Sequence, residues 1–237
     1  MSLIGVYDIF NTNWCGQTVW VYSDPHFDDP DLKKGIKRPN SMELVQKINE
    51  KVGRKDTIIF LGDIGNIEYI RMIRGKKILI MGNHDAGASN YKRVKRQFIF
   101  DKDIYSKEEV RIRLMMHYPG QKITISEGYD FHKPFSRWIA EVDNCLFDEV
   151  YEGPLTIGEK IILSHEPIDA SWALNIHGHV HDKVESDNQH FNVCADVIDY
   201  TPINLNQLLK SGGLLGKIET IHRTTINKAI KRKKKRG

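Results

Sequence analysis

Cysteine is scarce in this chain. Cys15, Cys145 and Cys194 are the only three in 237 residues, they stand far apart, and no two form a CxxC pair. An odd, scattered set does not make a disulfide framework, and a reducing cytoplasm is the expected compartment. Long apolar runs are missing as well. None approaches the ~18 residues needed to span a membrane. The first residues, MSLIGVYDIF, lack the basic start and small-residue cleavage site of a signal peptide. Internal repeats are absent, and the single low-complexity segment is a short basic tail.

That tail governs the charge. The formal net charge is +4, yet KAIKRKKKRG alone holds seven basic residues, Lys228 and Lys231 to Arg236, which leaves −3 for the rest. A mildly acidic body therefore carries a strongly basic end. Such an end offers nonspecific attraction to nucleic acid or another polyanion, or is simply a solvated terminus. With 40% hydrophobic residues the body has enough apolar material for a sizeable core.

Several short runs read as buried strands: TVWVYSD (18–24), DTIIFLGD (56–63), KKILIMGNHD (76–85), EKIILSHEP (159–167) and ALNIHGHVH (173–181). Each is rich in Val and Ile, as expected of strands covered on both faces. Helices are expected between them. In SMELVQKINEKVGRKD, Ser41 is the expected N-cap, with Leu44, Val45 and Ile48 on one face. NIEYIRMIRGK groups Ile67, Ile70 and Ile73 and stops at Gly75. The order strand–helix–strand–helix–strand argues for a parallel sheet with helical crossovers. QHFNVCADV reads as a further strand. Between Tyr91 and Cys145 the pattern changes. There RIRLMMHYPGQKITIS reads as two strands joined at Pro119–Gly120, and FHKPFSRWIAEV as a helix.

Each buried run ends in Asp, Asn or His, where open α/β sheets border their sites. In chain order these ends are Asp24–Pro25–His26, Gly62–Asp63, Gly82–Asn83–His84–Asp85, Ser164–His165–Glu166–Pro167 and His177–Gly178–His179–Val180–His181. Oxygen and imidazole donors of this kind suit Mn, Fe, Zn or Ni rather than a thiolate site. Seven such groups exceed the needs of one ion, whereas two ions sharing a carboxylate would use them all. In extended chain, residues two apart face the same way, so Asp24 can converge with His26, and His179 with His181. Gly62, Gly82 and Gly178 each precede a candidate ligand and let backbone approach closely.

These motifs, in this order, resemble the calcineurin-like metallophosphoesterase family, nearest to its small bacterial and phage phosphoesterases. The segments FDEVYEGPLTIGEKIILSHEP, ALNIHGHVHD and NVCADVIDYTPI carry the same likeness. The resemblance implies an α/β fold, a four-layer α/β/β/α sandwich. It implies one domain over 1–227 with an insertion at about 91–145, and a basic tail at 228–237. It assigns Asp24, His26 and His181 to a first metal, Asn83, His165 and His179 to a second, and Asp63 to both. His84 would face the phosphoryl or leaving oxygen, Asn83 and His84 would meet the substrate, and Asp85 would orient His84. The implied cofactors are two divalent transition-metal ions, Mn first, with Fe, Zn or Ni as alternatives. The implied reaction is phosphoester hydrolysis by a metal-bridging hydroxide, on a diester rather than a monoester, with a nucleotide-like substrate. A nuclease anchored by the basic tail is the alternative, ahead of a phosphomonoesterase or a non-catalytic scaffold.

Other histidines compete for roles. His117, in MMHYPG, imitates the His–x–Pro of His165. His165 is preferred because a cleaner buried run leads into it. His177 reads as structural, and His132, His190 and His222 as surface residues. Asp169 and Asp182 suit supporting roles or plain turns. The aromatic and basic residues Tyr91, Lys92, Arg93, Lys95, Arg96 and Trp138 suit nucleotide or nucleic-acid contact, or a peripheral subdomain or oligomer contact.

Overall fold

The structure, a computed structural model, describes residues 5–7, 18–30, 38–129, 136–157, 161–183, 187, 189–205 and 207–208. The basic tail, Cys15, His132 and His222 lie outside the described residues.

The buried runs form two sheets. In the first, β2 (Val19–Tyr22), β3 (Thr57–Phe60), β4 (Lys76–Ile80) and β8 (Glu149–Tyr151) run parallel, and β13 (Ile203–Asn204) pairs antiparallel with β2 at one edge. The second sheet has the order β1 (Gly5–Tyr7), β9 (Leu155–Ile157), β10 (Ile161–Leu163), β11 (Leu174–His177) and β12 (His190–Asn192), parallel except at β9–β10. Alternation along each strand divides the apolar residues between two cores. Val19, Val21, Ile59, Leu61, Ile78 and Ile80 face Leu155, Ile157, Ile161, Leu163, Leu174 and Ile176 of the second sheet. Tyr22, Ile58, Phe60 and Leu79 point the other way, onto helix α1 (Ser41–Lys51) and the 3₁₀ helix Ile67–Met72. Burial on both faces is why these strands read as unbroken apolar runs. The fold is mixed α/β, with helices, sheet and sheet as three of the four expected layers among the described residues.

Helix α1 departs from expectation at its start. Its N-cap is Asn40, in a reciprocal capping box with Glu43, because the asparagine oxygen reaches the Glu43 N–H at 3.0 Å. Ser41 lies inside the first turn. Its hydroxyl donates to Asp28 Oδ1 at 2.9 Å and accepts from the Asp28 N–H at 2.8 Å, tying the helix to the loop after His26.

After the short helix α2 (Ala88–Tyr91) the chain folds on a sheet of its own. Strands β5 (Lys95–Asp101), β7 (Arg137–Asp143) and β6 (Lys122–Gly128) pair antiparallel in that order. Helix α3 (Lys107–His117) packs Val110 and Leu114 against Ile125, Ala140 and Val142. Two expectations fail here. RIRLMMHYPGQKITIS is a helix followed by a strand, because Ser106 and Glu109 form a capping box that starts α3. Of FHKPFSRWIAEV, residues 131–135 lie outside the described residues, and 137–142 form a strand, not a helix, because Trp138, Ala140 and Val142 alternate with outward residues and β7 is paired on both sides. Arg93 anchors the segment's entry, with its guanidinium on Asp143 and Asp148 at 2.6 Å each. Among the described residues no helix is long and apolar enough to cross a membrane.

Candidate metal centre

Strands β2, β3 and β4 of one sheet and β10 and β11 of the other send their C-terminal loops to a common place. Loop 24–27 is zipped to loop 62–66 by backbone bonds: Asp24 N–H to Gly62 O, His26 N–H to Asp63 O and Phe27 N–H to Ile64 O, at 3.2, 3.0 and 2.9 Å. Within this frame Asp24, His26, Asp63, His179 and His181 all adopt left-handed backbone, with φ of 55, 42, 53, 69 and 49°. Such conformations cost of order 1–3 kcal/mol each and persist only where the surroundings impose them. Gly82 and Gly178 are needed for close approach. A Cβ on Gly82 would collide with Asp63, and one on Gly178 with Ser23 and Asp24.

The donor atoms converge in overlapping groups. Asp24, His26 and Asp63 form one, and Asp63, His165 and His179 another, each with ligand atoms within 4.8 Å of one another. Asp63 Oδ2 lies 3.6 Å from His26 Nε2 and 3.4 Å from His165 Nε2, so one carboxylate oxygen faces both groups. The other, Oδ1, accepts the His84 backbone N–H at 3.0 Å. Asn83 Oδ1 sits 2.8 Å from His165 Nε2 and 3.1 Å from His179 Nδ1. His165 Nδ1 donates to Leu61 O at 2.7 Å, a partner that can only accept, which turns the Nε2 lone pair into the cluster.

Lone pairs therefore face lone pairs, an arrangement that a cation would stabilise. Asp24 Oδ1 and His26 Nε2 are buried without a hydrogen-bond partner, a costly state in a protein interior. Asp24 Oδ2 is held from behind by the His179 N–H at 2.9 Å and the Cys194 thiol at 3.2 Å, leaving Oδ1 turned inward. Burial pushes the Asp24 carboxyl up. The nearby His26 and Ser23 side chains, the field of His165 and the hydrogen bond from the His179 N–H outweigh it and hold the group well below the usual carboxylate range. These residues fit divalent metal ions both in donor chemistry and in geometry.

Three neighbours had escaped the sequence reading. Asp196 accepts from His181 Nδ1 at 2.7 Å, which fixes the tautomer and leaves Nε2 for the cluster. That bond raises the His181 pKa, whereas burial opposes it. Arg38 donates to the carbonyls of Asp24 and Pro25 at 2.6 and 2.9 Å and lies 3.8 Å from Asp196 Oδ1. Cys194 is the third. Asp196 and Cys194 stand just past β12, in NVCADV, so the strand-end rule would have found them. Nothing in the sequence marks Arg38.

Asp85 serves the loop, not the ring of His84. Its carboxylate accepts the N–H groups of Gly82, Asp63 and Ile64 at 2.8, 3.0 and 3.0 Å. Burial pushes its pKa up, and those backbone bonds pull it back. His84 is exposed, with its ring 5.8 Å from that of His26. His117 ends α3 on the separate sheet and is exposed there. His177 is buried with Nδ1 2.9 Å from Gly178 O, and burial lowers its pKa.

A family model described as calcineurin-like phosphoesterase matches residues 17–183. The chain belongs to that family, and it is a metal-dependent phosphoester hydrolase by family and by donor set. Its fold is similar to the crystal structure of a protein of unknown function from Aquifex aeolicus, at 20% identity and a TM-score of 0.50, covering 82% of this chain and 98% of that one. At that identity the likeness speaks to the fold alone. No curated protein matches the chain significantly.

Proposed function

We propose that the protein is a binuclear metal-dependent phosphodiesterase. The observation that carries this reading is Asp63 Oδ2, poised between the His26 and His165 nitrogens at 3.6 and 3.4 Å. Asp24, His26 and His181 would hold one ion, Asn83, His165 and His179 the other, and Asp63 both. The bound pair, Mn first by donor type, would supply Lewis acidity to the phosphoryl oxygens and lower the pKa of a water.

The chain's own groups do the rest. The zipped loops and the Asp85 carboxylate keep the ligands in strained but fixed positions. His84, exposed beside His26, meets the substrate and offers a ring N–H to the departing oxygen or to a phosphoryl oxygen. In the overall step a water oxygen bonds to phosphorus, one ester P–O bond breaks, and one proton of that water ends on the departing oxygen, which leaves as the alcohol. A diester is favoured over a monoester by charge. The Arg38 guanidinium spends Nη2 on the Asp24 and Pro25 carbonyls and is buried, so among the described residues it does not reach out to receive a second phosphate charge.

The test is metal reconstitution followed by assay on bis(4-nitrophenyl) phosphate and 4-nitrophenyl phosphate. We expect turnover of the diester with Mn²⁺ in excess of the monoester, two ions per chain, and loss of activity in Asp63→Asn and His179→Ala. Wild-type turnover by Asp63→Asn would sink the reading.

A further inference from the structure

A cleft of about 290 Å³ opens beside the ligand cluster and shares Asn83 and His165 with it. Three loops build it: Met81–Asn83 after β4, Glu152–Pro154 between β8 and β9, and Ser164–Ile168 after β10. Its walls are apolar at Ile80, Met81, Pro154 and Pro167, and its charged lining consists of two carboxylates, Glu152 and Glu166. No lysine or arginine lines it among the described residues.

We propose that this cleft seats the ester arm that stays on phosphorus, and that it takes an uncharged, ring-bearing alcohol such as a nucleoside. An arm that carries further phosphate is rejected. The proposal rests on the phosphodiesterase reading and adds a substrate class to it. Continuity with Asn83 and His165 puts the cleft within reach of a phosphoryl group held by the cluster. His84 stands beside His26 and does not line the cleft, so the arm in the cleft is not the one His84 serves. The volume is at the low end of ligand pockets, about 300–1,000 Å³, which suits one ring system rather than a polymer segment. The apolar walls bury a ring face. The two carboxylates repel an added phosphate, and because both are exposed, salt weakens that repulsion.

Gly153 makes the cleft testable without disturbing the metal loops. Its backbone is not left-handed, and a Cβ there would meet nothing within 4 Å, so a large side chain is accommodated at this lining position without strain. The experiment uses three diesters with one leaving group, 4-nitrophenolate, and different retained arms: methyl, thymidine joined through its 5′ oxygen, and the same thymidine carrying a 3′-phosphate. With Mn²⁺-loaded full-length protein we expect kcat/KM for the thymidine arm to exceed that for methyl about tenfold. The 3′-phosphate should erase that gain at low salt and partly restore it at high salt. Gly153→Phe should bring the thymidine-to-methyl ratio close to one. The double variant Glu152→Lys, Glu166→Lys should reverse the order of the neutral and phosphorylated arms. Equal kcat/KM for all arms, preference of the wild type for the phosphorylated arm, or an unchanged ratio in Gly153→Phe would each overturn the cleft assignment and leave the phosphodiesterase reading standing. Turnover of none of the three would overturn the phosphodiesterase reading, and the assignment of the cleft with it.

Discussion

His181 shows how much of a proposed metal ligand's setting lies outside its own loop. Its Nδ1 is held by Asp196, itself 3.8 Å from the Arg38 guanidinium. Asp196→Asn keeps the shape of this contact but removes the charge that raises the basicity of the imidazole. We expect metal affinity to fall 10–100-fold in calorimetric titration with Mn²⁺. The metal-free protein provides a separate check, since nitrogen NMR should lose the fixed Nδ1–H tautomer of His181. His84→Ala should behave differently, with turnover lower by 10²–10⁴ and both ions still found by elemental analysis. Loss of an ion in that variant would make His84 a ligand instead. Six of the seven expected ligands, all but Asn83, appear in the two converging groups or in a third made by Asp24, His181 and Cys194. Asn83 joins through its contacts with His165 and His179. They were legible because each follows a buried apolar run. Arg38 was not, since its task is set by carbonyls 13 and 14 residues away that only folding brings near.

At the scale of elements, legibility followed burial. Strands β2, β3, β4, β10 and β11 are covered on both faces, and their continuous apolar runs announced them. Strand β7 and helix α3 each bury one side only. Ile112, Met115 and Met116 are exposed on α3, which blurs its periodicity. Tertiary pairing then decided what local pattern could not. The join between this segment and the body has a pH signature. Burial raises the Asp143 pKa, but the Arg93 hydrogen bonds, the Cys145 N–H and the field of Lys95 more than reverse it, so the folded value is depressed. A depressed carboxyl contributes its stability fully above its unfolded pKa, near 3.8, and loses it as pH falls through the folded value. Asp143→Asn should therefore lower the melting temperature at pH 6 to 7. Below about pH 4 the gap to wild type should close progressively. A constant gap down to pH 2 would mean that the pair is not what is lost.

For the molecule as a whole, ligand convergence is a source of both strain and stabilisation. Five left-handed residues and two unpartnered buried atoms oppose folding of the metal-free chain. Binding to the folded state alone adds about 2.7 kcal/mol at a hundredfold excess over Kd. Chelation should thus lower the melting temperature by several degrees, and Mn²⁺ should restore it in proportion to the logarithm of its concentration. Identical melting with and without chelator would place the ions outside the folding equilibrium.

The segment after Tyr91 leaves and rejoins the body at one point. Arg93 N–H bonds Phe147 O at 2.7 Å, Phe147 N–H bonds Tyr91 O at 3.0 Å, and Asn144 N–H bonds Val94 O at 3.2 Å. Entry and exit are thus side by side, and the apolar cluster beyond them is separate from the two cores of the sandwich. Such a junction makes the segment portable. Residues between Val94 and Asn144 can be exchanged for a two- to four-residue hairpin turn, and the sandwich keeps both of its cores. A lineage could acquire, lengthen or discard the whole appendage in one genetic event while the phosphoester chemistry went on unbroken beneath it.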